Sequence, residues 1–91
     1  MYLDIGDAFS VRKRDIVFIL DADSATRAPA TRRFWEKMEA DGLTVDTSGE
    51  LPLSLVLVKE EGKEAVLYLS RQSARTLAAR AKTRKGRNDF D

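Results

Sequence analysis

The sequence contains no cysteine and no histidine, and only two prolines among 91 residues. Without cysteine the chain has no disulfides, thiolate nucleophiles or Cys-based zinc sites. Without histidine it lacks the commonest metal ligand and the commonest general base. Catalysis would have to depend on carboxylates, lysine, serine or tyrosine. The composition therefore argues against an enzyme, and it indicates neither a cofactor nor a metal.

Long hydrophobic runs are also missing. The longest apolar run, residues 16–20, is far shorter than the roughly 20 residues that span a bilayer. The N-terminus has neither the basic region nor the apolar core of a secretory signal. We therefore expect a cytoplasmic protein without membrane association. A chain of 91 residues builds one small domain with a thin core, so assembly into a homo-oligomer is a reasonable expectation.

The net charge of +1 conceals an uneven distribution. Residues 1–70 carry nine Lys/Arg against thirteen Asp/Glu, whereas residues 71–91 carry seven against two. A basic end on an acidic body is typical of contact with nucleic acid, anionic lipid or an acidic partner. A solvated, solubilising tail explains the same pattern equally well.

Hydrophobic periodicity predicts a single α+β domain over residues 1–85, with residues 86–91 as a frayed tail. The architecture expected is a small antiparallel sheet with one inserted helix and one C-terminal helix. Residues 15–20 are apolar on both faces, which predicts a strand in the middle of the sheet. The other predicted elements are strands at residues 2–5, 9–11, 43–45, 54–58 and 65–69, and helices at about 29–41 and about 71–84.

The inserted helix carries two candidates for structure or assembly. Pro29 suits the first helical turn, where its missing N–H costs nothing. Phe34 and Trp35 point about 100° apart, so one of them can face the sheet while the other faces a neighbouring subunit. Pro29 and Trp35 are therefore the two residues singled out here.

The segment ILDADSA resembles the start of a haloacid-dehalogenase phosphatase, in which paired aspartates provide a nucleophile and bind magnesium. The match fails after Asp23, because Ala25 stands where that motif requires threonine or valine. We expect instead that Asp21 and Asp23 end a strand and satisfy the backbone of the following loop.

Two groups of cations are candidates for binding DNA. In an extended chain Arg12 and Arg14 point to one side and Lys13 to the other, and paired arginines suit bidentate contact with phosphate. A solvated entry to a buried strand is the alternative. On the C-terminal helix, three further cations share one flank of the apolar stripe. These are Arg71, Arg75 and Lys82.

Four sequence blocks, in order, resemble the small bacterial Rem family of extracellular-matrix regulators, and the RemB branch more closely than RemA. The blocks cover about residues 1–80. They are MYLDIGDAF at the start, V-x-x-R-D-I-V at residues 11–17, P-x-S-x-V-L-V at residues 52–58, and Y-L-S-x-x-S-x-x-T-L-x-x-R at residues 68–80.

The resemblance implies a non-enzymatic bacterial regulator. The RemA branch activates transcription of biofilm-matrix genes by binding DNA, and it assembles into closed rings that display many copies of a basic loop. Arg14 falls on an arginine implicated in DNA binding in that branch, and Pro29 matches a proline at the corresponding helix start. An arginine pair that follows a loop glycine in RemA does not carry over, because Glu50 and Leu51 follow Gly49 here.

Two hypotheses about function therefore stand. The first is a ring-forming regulator that binds double-stranded DNA through repeated basic loops. The second is a structural or interaction protein with the same assembly, which acts through a protein partner without contacting DNA.

Overall fold

The computed structural model of the chain describes residues 1–6 and 8–82. The predicted tail at residues 86–91 and the predicted end of the last helix lie outside this part. The described elements, in chain order, are β1 (Tyr2–Gly6), β2 (Phe9–Arg12), a 3₁₀ turn (Lys13–Asp15), β3 (Ile16–Asp21), α1 (Ala22–Arg27), α2 (Pro29–Ala40), β4 (Thr44–Asp46), β5 (Ser54–Val58), β6 (Val66–Ser70) and α3 (Ala74–Lys82).

The strands form a two-stranded sheet, β1-β2, and a four-stranded sheet in the order β3-β5-β6-β4. The predicted α+β class is confirmed. The sheet is mixed rather than purely antiparallel, because β4 runs parallel to β6. The parallel pairing arises because α2 lies between β3 and β4 in the chain. After this helix, β4 runs in the same direction as β6, at the edge of the sheet opposite β3. No helix among the described residues is long and apolar enough to cross a membrane.

The four-stranded sheet lies between two apolar clusters. On β5, Val56 and Val58 contribute to one cluster and Leu55 and Leu57 to the other, because successive side chains of a strand point to opposite faces. The first cluster is covered by the β1-β2 sheet and by Leu77 of α3. The second is covered by α1 and α2. The protein thus has three layers, with β5 and β6 at the centre.

The prediction that residues 15–20 form the middle strand is wrong, because β3 lies at an edge of the sheet. Both of its faces are nonetheless covered: Ile16 and Ile19 pack on one cluster, and Phe18 and Leu20 on the other. An irregularity in the pairing with β5 at Val17 shifts the alternation and leaves that side chain 56% exposed. Apolar residues on both faces of a strand indicate that both faces are covered. They do not show whether the strand has a neighbouring strand on each side.

Recognisable signals mark the start of both long helices and the end of α2. Pro29 occupies the first turn of α2, as predicted. Gly42, with a φ of +72°, follows the end of that helix. Helix α3 begins at Ala74, three residues later than predicted, because Ser73 rather than Ser70 is the capping residue: its Oγ accepts from the Thr76 N–H at 3.1 Å.

Candidate nucleic-acid interface

Residues 12–15, which we call the arginine turn, connect the two sheets. The condition under which Arg12 and Arg14 would point to one side, an extended chain, is not met, since Lys13–Asp15 form a single 3₁₀ turn. The turn is fixed at both ends by backbone hydrogen bonds. The Lys13 N–H donates to the Met1 carbonyl at 2.9 Å, and the Asp15 carbonyl accepts from the Lys59 N–H at 2.8 Å. A backbone held in this way presents its side chains in a defined direction.

Arg12 and Arg14 lie together despite the turn. Both are exposed, and both line one cleft of about 530 Å³, which we call the arginine cleft. Within residues 1–6 and 8–82, neither guanidinium forms a hydrogen bond or a salt bridge. Nothing in this described part of the chain occupies their donors, and planar guanidinium groups suit bidentate contact with phosphate.

Lys13 has a different environment from its two neighbours. It is half-buried, and its Nζ donates to the carbonyl of Arg80 in α3 at 3.0 Å. This contact joins the arginine turn to α3. The structure thus separates Lys13 from the arginine pair and gives it a structural contact.

Arg71 precedes α3 and does not share a helical flank with Arg75 and Lys82, contrary to prediction. Its Nη1 donates to the Leu51 carbonyl at 2.6 Å, and its Nε lies 3.5 Å from the Glu50 carboxylate. Glu50 and Leu51 are the residues that depart from the RemA pattern. They bind Arg71 within the subunit, which leaves this guanidinium less available to an outside anion.

The remaining cations and the two α2 candidates lie apart from the arginine cleft. Arg75 and Lys82 are exposed on α3, and neither lines the cleft. Pro29 is exposed at the start of α2. Trp35 packs against the sheet, and its Nε1 is buried without a hydrogen-bond partner among the described residues. Phe34, by contrast, is 37% exposed and packs edge-on against Phe18.

The paired aspartates after β3 support local structure. The Asp21 carboxylate accepts from the Ser24 N–H at 2.9 Å and so caps α1. Asp23 forms a salt bridge of 2.9 Å with Arg27, four residues later. Both carboxylates are engaged in ways that short acidic residues often are at helix starts.

Sequence reasoning missed the carboxylates of the arginine cleft. Asp15, Glu60 and Glu61 line it beside the two arginines, although Glu60 and Glu61 lie more than 40 residues further along the chain. The antiparallel pairing of β3 with β5 is responsible, because it places the start of β3 against the end of β5. Predicting that pairing would have revealed these neighbours.

A scan against protein-family models found no match to the chain, and a search of curated proteins found none either. Function must therefore be inferred from the residues and their geometry.

Proposed function

We propose that the chain is a non-enzymatic, oligomeric regulator of the bacterial cytoplasm that binds double-stranded DNA, as the resemblance to the Rem family implies. The observation that carries this proposal is the pair formed by Arg12 and Arg14. Both guanidiniums are exposed, line one cleft and have no polar partner within residues 1–6 and 8–82. Arg14 is also the residue with a counterpart in the DNA-binding branch.

A site with two arginines is weak by itself, so the proposal requires several copies. Each phosphate contact contributes little affinity, and linked copies bind with a high effective concentration. Few side chains of the cleft can reach base edges, so we expect selectivity to come from DNA shape and from the spacing of the subunits. A closed ring would satisfy both requirements.

Fluorescence anisotropy with a labelled duplex, repeated from about 50 to 300 mM salt, tests DNA binding. We expect Arg14→Ala and Arg12→Ala each to lower the affinity about three- to tenfold at low salt and to flatten its salt dependence, because each removes a phosphate contact. Arg33→Ala is the matched control, since Arg33 is an exposed arginine on α2 outside the cleft. Absence of binding even at about 50 mM salt would overturn the proposal.

We further propose that a second copy of the chain covers the exposed edge of β3. Val17 on this edge is 56% exposed, and Phe34 beside the same strand is 37% exposed. An edge strand pairs readily with another chain, and the function requires several copies. Native mass spectrometry should show an oligomer that Val17→Lys dissociates while Tyr2→Lys, at another exposed apolar residue, does not. A monomeric wild type at micromolar concentration would contradict the assembly.

A second candidate function is favoured by the loop that carries Glu50 and Leu51. Leu51 is 83% exposed, and the neighbouring Glu50 pairs with Arg71, so this loop presents an apolar side chain where RemA presents cations. That surface suits a structural or interaction protein that acts through a protein partner. An assembled wild type with no affinity for DNA at low salt would favour this function over the first.

A further inference from the structure

The arginine cleft contains more negative than positive charge. Arg12 and Arg14 share it with three carboxylates, those of Asp15, Glu60 and Glu61. Among the described residues, none of these carboxylates forms a salt bridge with either arginine, so the opposite charges lie more than 4.0 Å apart. A phosphate that enters the cleft therefore meets two attractive groups and three repulsive ones.

The acidic side of the cleft is held in place by the fold. The hydrogen bond from the Lys59 N–H to the Asp15 carbonyl, 2.8 Å long, joins the β5-β6 connection to the arginine turn. A second backbone hydrogen bond, from the Lys63 N–H to the Glu60 carbonyl at 3.0 Å, closes the turn within that connection. The carboxylates thus remain beside the arginines rather than moving away with a free loop.

Glu60 and Glu61 differ in how far their charges are compensated. The Glu60 carboxylate lies 3.2 Å from the Lys63 ammonium, which offsets part of its field. Glu61 is exposed, and its side chain has no hydrogen bond or salt bridge within the part of the chain that the structure describes. Its negative charge therefore acts on the cleft without a salt bridge among the described residues to offset it.

We propose that Glu61 limits the affinity of the arginine cleft for phosphate-bearing polymers. This inference rests on the proposed function. Two like charges several ångströms apart in water repel enough to weaken binding about two- to threefold at low salt, and less when salt screens them. The factor multiplies when several subunits bind one polymer. A single phosphate or short polyanion engages one weakened cleft and is held weakly, whereas a polymer that engages many clefts is still retained because linked sites bind at high effective concentration.

Glu61→Gln and Glu64→Gln form a matched pair that tests this role. Both remove one negative charge from the same connection, but Glu64 lines a different depression, beside Lys63 and Tyr68. Inorganic tripolyphosphate, titrated by calorimetry at about 50 and 300 mM salt, serves as the small probe. We expect Glu61→Gln to bind it about two- to threefold more tightly than wild type at low salt, with less than half that gain for Glu64→Gln. Adding Arg14→Ala to Glu61→Gln should remove the gain.

The outcomes separate this inference from the proposed function when a labelled duplex is titrated in parallel. Equal gains in the two glutamine variants, or no tripolyphosphate binding by either wild type or Glu61→Gln at millimolar concentration, would overturn the inference. Duplex binding that needs Arg14 but is unchanged by Glu61→Gln would overturn the inference alone. A selective gain for tripolyphosphate without any duplex binding would support the inference and reject DNA binding.

Discussion

The arginine turn and the long loop at residues 47–53 both follow strands and both have cations close by, yet they use them in opposite ways. In the arginine turn, Arg12 and Arg14 have no polar partner within residues 1–6 and 8–82. At the long loop, Arg71 is bound to the Leu51 carbonyl and to Glu50. The arginines of the arginine turn are thus exposed to solvent, whereas Arg71 stabilises the long loop.

The difference follows from the acceptors within reach of each side chain. The long loop has no strand partner along most of its length, so its carbonyls remain open to a neighbouring guanidinium. In the arginine turn the Asp15 carbonyl already accepts from the Lys59 N–H, and among residues 1–6 and 8–82 neither arginine has a hydrogen-bond acceptor. In these two regions the bonding of the arginines therefore differs with the carbonyl acceptors that the backbone leaves open.

The largest expected effect comes from disturbing the contact between Gly6, at the end of β1, and Thr47, at the start of the long loop. Its φ is +127°, and an added Cβ would lie 3.2 Å from the Thr47 Oγ1, which donates to the Leu69 carbonyl. We expect Gly6→Ala to lower the free energy of unfolding by about 2–3 kcal/mol, measured by urea denaturation. Gly49→Ala is the control: its φ is +79°, but an added Cβ there would meet no described atom within 4 Å beyond its chain neighbours, so the loss should be nearer to about 1 kcal/mol.

A somewhat smaller effect is expected at Ser70, which is fully buried. Its Oγ donates to the Ile5 carbonyl at 2.7 Å and accepts from the Gln72 N–H at 3.0 Å. Ser70→Ala leaves both groups without this partner, at a cost of about 1–2 kcal/mol in thermal or urea unfolding. Ser10→Ala, at an exposed serine of β2, should stay within about 0.5 kcal/mol of wild type. Equal losses in the two variants would contradict this role for Ser70.

Arg71→Ala and Arg14→Ala test the comparison itself, because they should have opposite effects on stability and binding. Arg71 is 43% exposed in its side chain, so we expect its removal to cost about 0.5–1 kcal/mol in urea unfolding and to change duplex affinity little. Arg14→Ala should leave stability within about 0.5 kcal/mol of wild type and lower affinity. If Arg71→Ala and Arg14→Ala changed stability and duplex affinity to the same extent, the proposed difference between the two regions would be contradicted.

The smallest effect is expected for Glu50→Gln. The carboxylate is 70% exposed and lies 3.5 Å from the Arg71 Nε, a geometry worth less than about 0.5 kcal/mol in water. Stability should therefore hardly change in urea. If the variant gains duplex affinity as much as Glu61→Gln does, the long loop belongs to the DNA-binding surface after all, and the contrast between the regions is lost.

Local sequence patterns predicted many of the helices and strands. They did not predict the order of the strands in the sheet or the contacts between segments distant in sequence. The Pro29 start of α2 and the strands around residues 54–58 and 66–70 follow from local signals that the structure confirms. The edge position of β3 was missed because coverage of both faces does not require two neighbouring strands. Glu61 was missed because its proximity to Arg14 depends on strand pairing between distant segments.

The contacts that fasten the first and last elements bear on the order in which the protein folds. Ser70 and Ile5 are 65 residues apart in sequence, and Lys13 reaches the Arg80 carbonyl across 67 residues. Closing such long loops is entropically costly, so we expect these contacts to form late. The β1-β2 hairpin is synthesised first but can dock only after β6 and α3 exist. The arginine cleft is therefore among the last features to form, and a partly synthesised chain has no preorganised site for a polyanion.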